Sequence, residues 1–315
     1  MDQGSSASDN FTAHQAERRR ELWGLLGRLP RDHQPRPPQQ QAVEKHPGFT
    51  LEHLLLDLNG LEPVPALLLI PDRRAPRAPG LLYCHSHGGV YSAGSRELLE
   101  GSTFQTAYAP LCAELGLVTL AIDSWCFGQR QHAANGRIGE QDTFKRMLLY
   151  GQVLFGMMLF DEYRALDYLA SRTEVDPQRL GCLGFSMGAL KAWWLAALDP
   201  RLRLCVNLCC LTDFAALIGA GHLSAHDIYA YVPGLLRHFR TAQIAELIVP
   251  RRHLSLNGRR DILAPVEGVR AVREALLPLY RAHGREQDCR IELYDCGHEE
   301  IPAMRAEVRH GLAQL

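Results

Sequence analysis

Residues 180–198 read LGCLGFSMGALKAWWLAAL. The first six are an apolar run of strand length, and the last twelve are good helix formers. Gly184-Phe185-Ser186-Met187-Gly188 lies across the junction, so strand passes into helix with almost no loop. A turn that sharp holds its central residue in strained backbone angles and lifts the side chain above the sheet edge. Glycine at 184 and 188 is required because side chains there would meet neighbouring backbone. Ser186 is thereby a candidate nucleophile, near the positive end of the helix that begins at Met187. The Met187 N–H faces the point where charge would develop on a tetrahedral oxygen. The competing reading of the same residues is a glycine-rich turn whose serine only caps the helix.

Outward from this junction the chain alternates between strand and helix patterns. Residues 51–58 (LEHLLLDL) and 64–70 (VPALLLI), separated by a turn-like NGLEP, read as an antiparallel pair. Further strands are expected at 81–84, 117–122, 202–208, 253–256 and 291–294. Helices are expected at 107–115, 143–171 and 266–282, with a last one from about residue 300. Strands joined by crossover helices give an α/β architecture, a mainly parallel sheet with helices on both faces. Residues 211–250 carry no strand pattern and read as an insertion. Its Leu217, Ile218, Tyr229, Tyr231 and Val232 are expected to supply an apolar pocket wall. Before the alternation begins, residues 1–12 read as unstructured, 13–29 as an amphipathic helix, and 31–41 (RDHQPRPPQQQ) as a linker. The expected division is a helix-plus-arm segment over 1–48 and a catalytic domain over 49–315. The N-terminal helix either caps the body or meets another subunit, which makes a homodimer one expectation.

A serine hydroxyl is inert near neutral pH without a base. Where the nucleophile sits on a strand-to-helix turn of this kind, an acid and then a histidine follow it along the chain. His298 lies in YDCGHEE, just past the last expected strand, and Asp261 lies in LNGRRDILAPVEG, just past the strand before it. Asp261 would orient the imidazole and stabilise its protonated form. Asp295 is close to His298 but awkwardly placed for pairing, and Asp213 is a weaker substitute. The loop His85-Ser86-His87-Gly88-Gly89 follows the strand at 81–84, and His87 or Gly88 is expected to give the second oxyanion donor. Trp125, Arg130 and His222 are candidate substrate contacts. Arg130 would either bind a substrate carboxylate or pair with a nearby acid. Trp193 and Trp194 read as core. His85-x-His87 and His222-x-x-x-His226 have plausible metal-ligand spacings, but the first region already has another task, and no metal is expected.

Five segments in order, HSHGG, AIDSWCFGQR, EYRALDYLASRTEVDPQRLGCLGFSMGALKAWWLAALDPR, NGRRDILAPVEG and CGHEE, carry a family likeness. Over residues 49–315 the chain resembles the dienelactone hydrolase and acetyl xylan esterase-like branch of the α/β-hydrolases. The resemblance implies an α/β-hydrolase fold with a minimal lid. It also implies a triad of Ser186, Asp261 and His298 that hydrolyses a small-molecule carboxylic ester without a cofactor. Two departures stand out. The usual His-Gly-x-Gly-Gly segment is His-Ser-His-Gly-Gly here, and position 186 is serine where some dienelactone hydrolases use cysteine.

Composition narrows the field further. Hydrophobic residues are 46% and charged residues 22% of 315, and the formal net charge is −1. That balance is ordinary for a globular protein and gives no field favouring nucleic acid or an anionic membrane. No run reaches membrane-span length, and the first residues lack the pattern of a secretory signal. Nine cysteines, an odd number without framework spacing, suggest reduced thiols and a cytoplasmic setting. The same triad would also serve an amidase, peptidase or thioesterase. A non-catalytic binder on this fold would be expected to have lost triad members.

Overall fold

The computed structural model describes residues 3–131 and 136–315, the first eight of them as backbone only. Among the described residues one sheet holds nine strands: β1 (Gln39–His46), β2 (Phe49–Leu56), β3 (Val64–Pro71), β4 (Ala78–Cys84), β5 (Val118–Ile122), β6 (Val175–Phe185), β7 (Leu202–Leu208), β8 (Arg252–Gly258) and β9 (Cys289–Tyr294). Their order is β1-β2-β3-β5-β4-β6-β7-β8-β9. Pairing is antiparallel from β1 as far as β5 and parallel from β5 through to β9. Strands β4 and β5 are buried along their whole length, which is why they read as continuous apolar runs.

The helices are α1 (Gln3–Leu25), α2 (Glu97–Glu100), α3 (Ala109–Glu114), α4 (Gly136–Leu149), α5 (Leu154–Ser171), α6 (Met187–Leu198), α7 (Phe214–Gly219), α8 (Thr241–Ala245), α9 (Val266–Ala282) and α10 (Pro302–Leu312). Two apolar cores lie on opposite faces of the sheet. One packs α1, α5, α6 and α9, and the other packs α3 and α10. Because α6 is apolar all round, it is buried along its full length, Trp193 and Trp194 included.

Three expectations change. The N-terminal helix begins at Gln3, so the segment expected to be unstructured up to residue 12 is helical from that point. Leu22 of this helix and Leu26 just past its end are fully buried against the body. Polar ties fix the same helix: the Gln15 amide donates to the Glu246 and Val249 carbonyls, and Arg19 donates to those of Ala197 and Leu247. The end of the expected linker is strand β1, paired with β2 across a tight turn, so the boundary expected at residue 48 falls inside a hairpin. The helix expected over 143–171 is two helices. Gly151 takes a left-handed φ of 69°, ending the first, and Gln152 then bridges to Gly27. The insertion over 211–250 holds α7, α8 and single helical turns, with no strand among its residues.

Every parallel strand ends on the same edge of the sheet. The segments after β4, β6, β8 and β9 meet there, as expected for a ligand crevice in an α/β sheet.

Candidate active site

Ser186 sits between β6 and α6 with φ 52° and ψ −119°, a conformation that a residue with a side chain adopts only under constraint. The constraint is visible in the flanking glycines. A Cβ on Gly184 would lie 2.2 Å from the backbone of Gly188, and one on Gly188 would lie 1.9 Å from the Cys84 carbonyl oxygen. Helix α6 therefore abuts the end of β4, which brings the loop after β4 alongside the serine. The Ser186 N–H donates to the Leu208 carbonyl at 2.9 Å, fixing the turn from its other side.

Three side chains form one hydrogen-bonded row. Ser186 Oγ lies 2.8 Å from His298 Nε2, and His298 Nδ1 lies 2.7 Å from Asp261 Oδ2. Asp261 is buried, and its other oxygen accepts the Leu263 N–H at 2.9 Å. With both carboxylate oxygens facing donors, the imidazole proton belongs on Nδ1, and the Nε2 lone pair faces the serine hydroxyl. The loops bearing the acid and the histidine approach closely because position 258 is glycine; a Cβ there would lie 2.1 Å from the Gly297 carbonyl oxygen. The rings of Phe185 and Phe104 flank the imidazole, with centroids 5.0 and 6.1 Å away. The alternative acids are engaged elsewhere. Asp295 pairs with Arg260 in solvent, and Asp213 caps α7 by accepting the Ala215 and Ala216 N–H groups.

The loop after β4, expected to give the second oxyanion donor, divides into anchoring and unengaged groups. His85 is buried, donates from Nδ1 to the Ser86 carbonyl at 2.6 Å, and accepts the Ser124 N–H on Nε2 at 3.0 Å. Burial holds its pKa well below the usual histidine range, so it stays neutral. The Ser86 N–H and hydroxyl both donate to Glu97, at 2.8 and 2.7 Å. Glu97 also accepts the Tyr83 hydroxyl, and burial raises its carboxyl above the usual range despite these donors. By contrast, the His87 and Gly88 N–H groups donate to no protein acceptor among the described residues. The Met187 N–H, in the first turn of α6, has no intrahelical partner either.

The expected substrate contacts fall differently. Arg130 is buried and donates to Glu62 (2.7 Å), Asp161 (2.8 Å) and the Asp123 carbonyl (2.9 Å), so its guanidinium is not available to a substrate carboxylate. Trp125 is buried beneath it, the guanidinium carbon 4.4 Å from the ring centroid, and belongs to the core rather than to a cleft wall. His222 and His226 hydrogen-bond the Ile262 and Leu263 carbonyls, at 2.8 and 2.9 Å, and so tie the insertion to the loop that follows Asp261. Neither histidine pair has the geometry of a metal site. The described residues do bring donor atoms of Cys209, Asp261 and His298 within 4.8 Å of one another, but both imidazole nitrogens are already hydrogen-bonded within the row.

Sequence patterns missed several members of the site. Lys191 and Glu162 form a fully buried ion pair at 2.9 Å, and Lys191 Nζ reaches Ser124 Oγ at 2.5 Å, under the loop after β5. A single charge within the otherwise apolar helix GALKAWWLAAL was the available signal. Asp227 and Glu140 also border the site, from the insertion and from α4, with nothing in their local sequence to mark them.

A sheet of this topology, with serine on a strained strand-to-helix turn, acid after β8 and histidine after β9, defines the α/β-hydrolase fold. Solved structures of that fold superpose on the chain. A glucuronoyl esterase from Solibacter usitatus matches with a TM-score of 0.64 at 14% identity, covering 94% of this chain and 91% of that one. Acetyl xylan esterase 1 from Thermoanaerobacterium sp. JW/SL YS485 matches with a TM-score of 0.62 at 17% identity, covering 95% and 93%. No family model matches the sequence. The chain belongs to the same family as the Bacillus subtilis (strain 168) protein named "Putative hydrolase YtaP", to which it is 42% identical over 294 residues, 93% of this chain and 96% of that one.

Proposed function

We propose that this protein is a serine hydrolase that cleaves carboxylic esters with short acyl groups, using Ser186, His298 and Asp261. The observation that carries the reading is the continuous hydrogen-bonded row from Ser186 Oγ through His298 to the buried Asp261. His298 Nε2 takes the hydroxyl proton as Ser186 Oγ attacks the ester carbonyl, and Asp261 stabilises the imidazolium that forms. The Met187 N–H and the N–H of His87 or Gly88 receive the oxyanion, a contact in which each donor contributes roughly 10²–10³ in rate. Collapse of the tetrahedral intermediate breaks the ester C–O bond. His298 returns the proton to the leaving alcohol, and the acyl group stays on Ser186. Water, deprotonated by the same nitrogen, then attacks the acyl-enzyme and releases the carboxylic acid. No step calls for a cofactor.

The name of the Bacillus relative and the esterases that share the fold support hydrolysis as the reaction class. Nine unpaired cysteines, eight of them buried, suit a reducing cytoplasmic setting. No described helix is long and apolar enough to cross a membrane. The test is turnover of p-nitrophenyl esters of increasing acyl length by the wild type and by Ser186→Ala. Release from acetate or butyrate that disappears in the variant is the expected result. Wild-type release that survives the substitution removes Ser186 from the mechanism. No release from any ester by folded protein redirects the reading to amides or thioesters.

A further inference from the structure

The loop that supplies the candidate oxyanion donors is intrinsically loose. It carries Gly88 at φ 51° and Gly89 at φ 83°, both left-handed conformations available because neither residue has a side chain. Its first half is anchored at Ser86 by Glu97. Its second half, where the unengaged N–H groups lie, closes on itself: the Gly89 N–H donates to His87 Nδ1 at 3.1 Å, and the Val90 N–H donates to the His87 carbonyl at 2.6 Å. With Nδ1 accepting, the imidazole proton of His87 sits on Nε2. That nitrogen is 3.3 Å from Asp227 Oδ2, a carboxylate reaching over from the insertion. The other Asp227 oxygen lies 3.1 Å from Arg137 Nε on α4.

The rings of Tyr91, Phe127 and Tyr229 pack around the His87 ring with centroids 5.2, 5.1 and 6.1 Å away, holding it beside Asp227. The segment bearing Asp227 is itself tied on both sides. Glu140 accepts the Tyr229 N–H at 2.9 Å and the Tyr91 hydroxyl at 2.6 Å, while His226 holds the Leu263 carbonyl of the acid loop. One short stretch of the insertion therefore touches both halves of the catalytic apparatus.

We propose that Asp227 is a positioning residue for ester hydrolysis, setting the backbone of the oxyanion loop through its 3.3 Å polar contact with His87 Nε2. The inference rests on the esterase reading above and adds a role for the insertion. Asp227 touches no reacting atom; it acts on transition-state stabilisation by holding the peptide N–H groups of residues 87 and 88 facing Ser186. Substrate binding in the ground state does not depend on that alignment, so its loss appears in kcat and leaves KM nearly unchanged.

The experiment measures kcat and KM for p-nitrophenyl acetate in the full chain, comparing Asp227→Ala with Asp227→Asn. Asparagine keeps a side-chain oxygen beside His87 Nε2 and loses only the charge. Asp227→Ala should lower kcat by about 10- to 100-fold, less than complete removal of an oxyanion donor, with KM within threefold. Asp227→Asn should stay within about threefold of wild type in kcat. The same contact is tested from its other end by His87→Gln, which keeps a donor near the Nε2 position, and His87→Phe, which keeps only the ring. The first should lose clearly less kcat than the second, a comparison that stands even where Asp227→Ala fails to fold. Because both changes break one contact, the His87→Phe/Asp227→Ala double variant should be no worse than the poorer single one. Full activity in Asp227→Ala overturns the inference, as does an equal kcat loss in Asp227→Asn and Asp227→Ala or a rise in KM alone. Those outcomes leave the esterase reading intact. Wild-type protein without Ser186-dependent ester turnover would instead remove that reading, and this inference with it.

Discussion

Replacing Asp261 with asparagine tests the hydrogen-bonded row at the point where geometry makes the sharpest demand. Asp261 Oδ1 accepts the Leu263 N–H at 2.9 Å, and Oδ2 faces His298 Nδ1 at 2.7 Å. An asparagine side chain in the same place must choose which end to turn toward each partner. The Leu263 N–H can only donate, so the amide oxygen stays opposite it and the NH2 group is turned toward His298. Nδ1 must then accept, the ring proton moves to Nε2, and Nε2 meets the Ser186 hydroxyl as a donor rather than a base. The pocket is otherwise unchanged in size and shape. The expected loss is one of chemistry, about 10⁴-fold in kcat, or roughly 5 kcal/mol of transition-state stabilisation. Steady-state p-nitrophenyl acetate kinetics measure it, with urea unfolding alongside to verify that stability changes by less than about 2 kcal/mol. Activity within tenfold of wild type would refute the tautomer argument and leave Asp261 as packing.

Gly188→Ala should abolish most of the activity in folded protein, because a Cβ 1.9 Å from the Cys84 carbonyl forces α6 off β4 and moves Ser186 away from His298. A displacement of order 1 Å costs about 10²-fold in kcat/KM, which the same kinetics read. Lys191→Met strands the Glu162 carboxylate in a fully buried site and should cost about 3–5 kcal/mol by urea unfolding at pH 8, while Glu162→Leu/Lys191→Met should recover much of it. Glu140 is buried and its carboxyl is raised to about 7, chiefly by burial and against the Tyr91 and Tyr229 hydrogen bonds. A carboxyl raised on folding favours the folded state below its unfolded pKa of 4.5, and that advantage is lost as pH rises through about 7. Glu140→Gln should therefore gain on wild type by roughly 2 to 3 kcal/mol between pH 5 and pH 8, and a pH-independent difference between the two would refute the assignment.

The parts of the fold legible in the sequence are those where burial imposes a period. Strands β4 to β9 read correctly because their apolar runs have strand length and sit between helix-period segments. Strand β1 was missed for the opposite reason. All seven residues from Gln39 to Lys45 are exposed and five of them are polar or charged, so the strand is held chiefly by backbone pairing to β2 and leaves no hydrophobic signature. The break between α4 and α5 was hidden because Gly151 lies inside a continuous helical pattern, and a helix tolerates an isolated glycine often enough that its presence does not announce a stop. Ser186, Asp261 and His298 were legible because each follows a strand at the same edge of the sheet, and the order of strands along the chain fixes which loops can meet there.

Polar residues near that edge were harder to sort, and the reason is general. Arg130, His222 and Trp125 have the residue types that bind substrates, yet each serves the scaffold: Arg130 neutralises Glu62 and Asp161, His222 holds a carbonyl of the acid loop, and Trp125 lies under the guanidinium. Residue type states what a side chain can bond, and only the three-dimensional tally states which bonds are already made. Applied to the loop after β4, that tally separates His85 and Ser86, whose polar groups are engaged, from the peptide N–H groups of His87 and Gly88, which are not. The sequence departs from the usual His-Gly-x-Gly-Gly at the second of these positions, where Ser86 replaces glycine. Its hydroxyl donates to Glu97 beneath the loop, so the substitution adds an anchor on the buried side and leaves the unengaged N–H groups of His87 and Gly88 untouched.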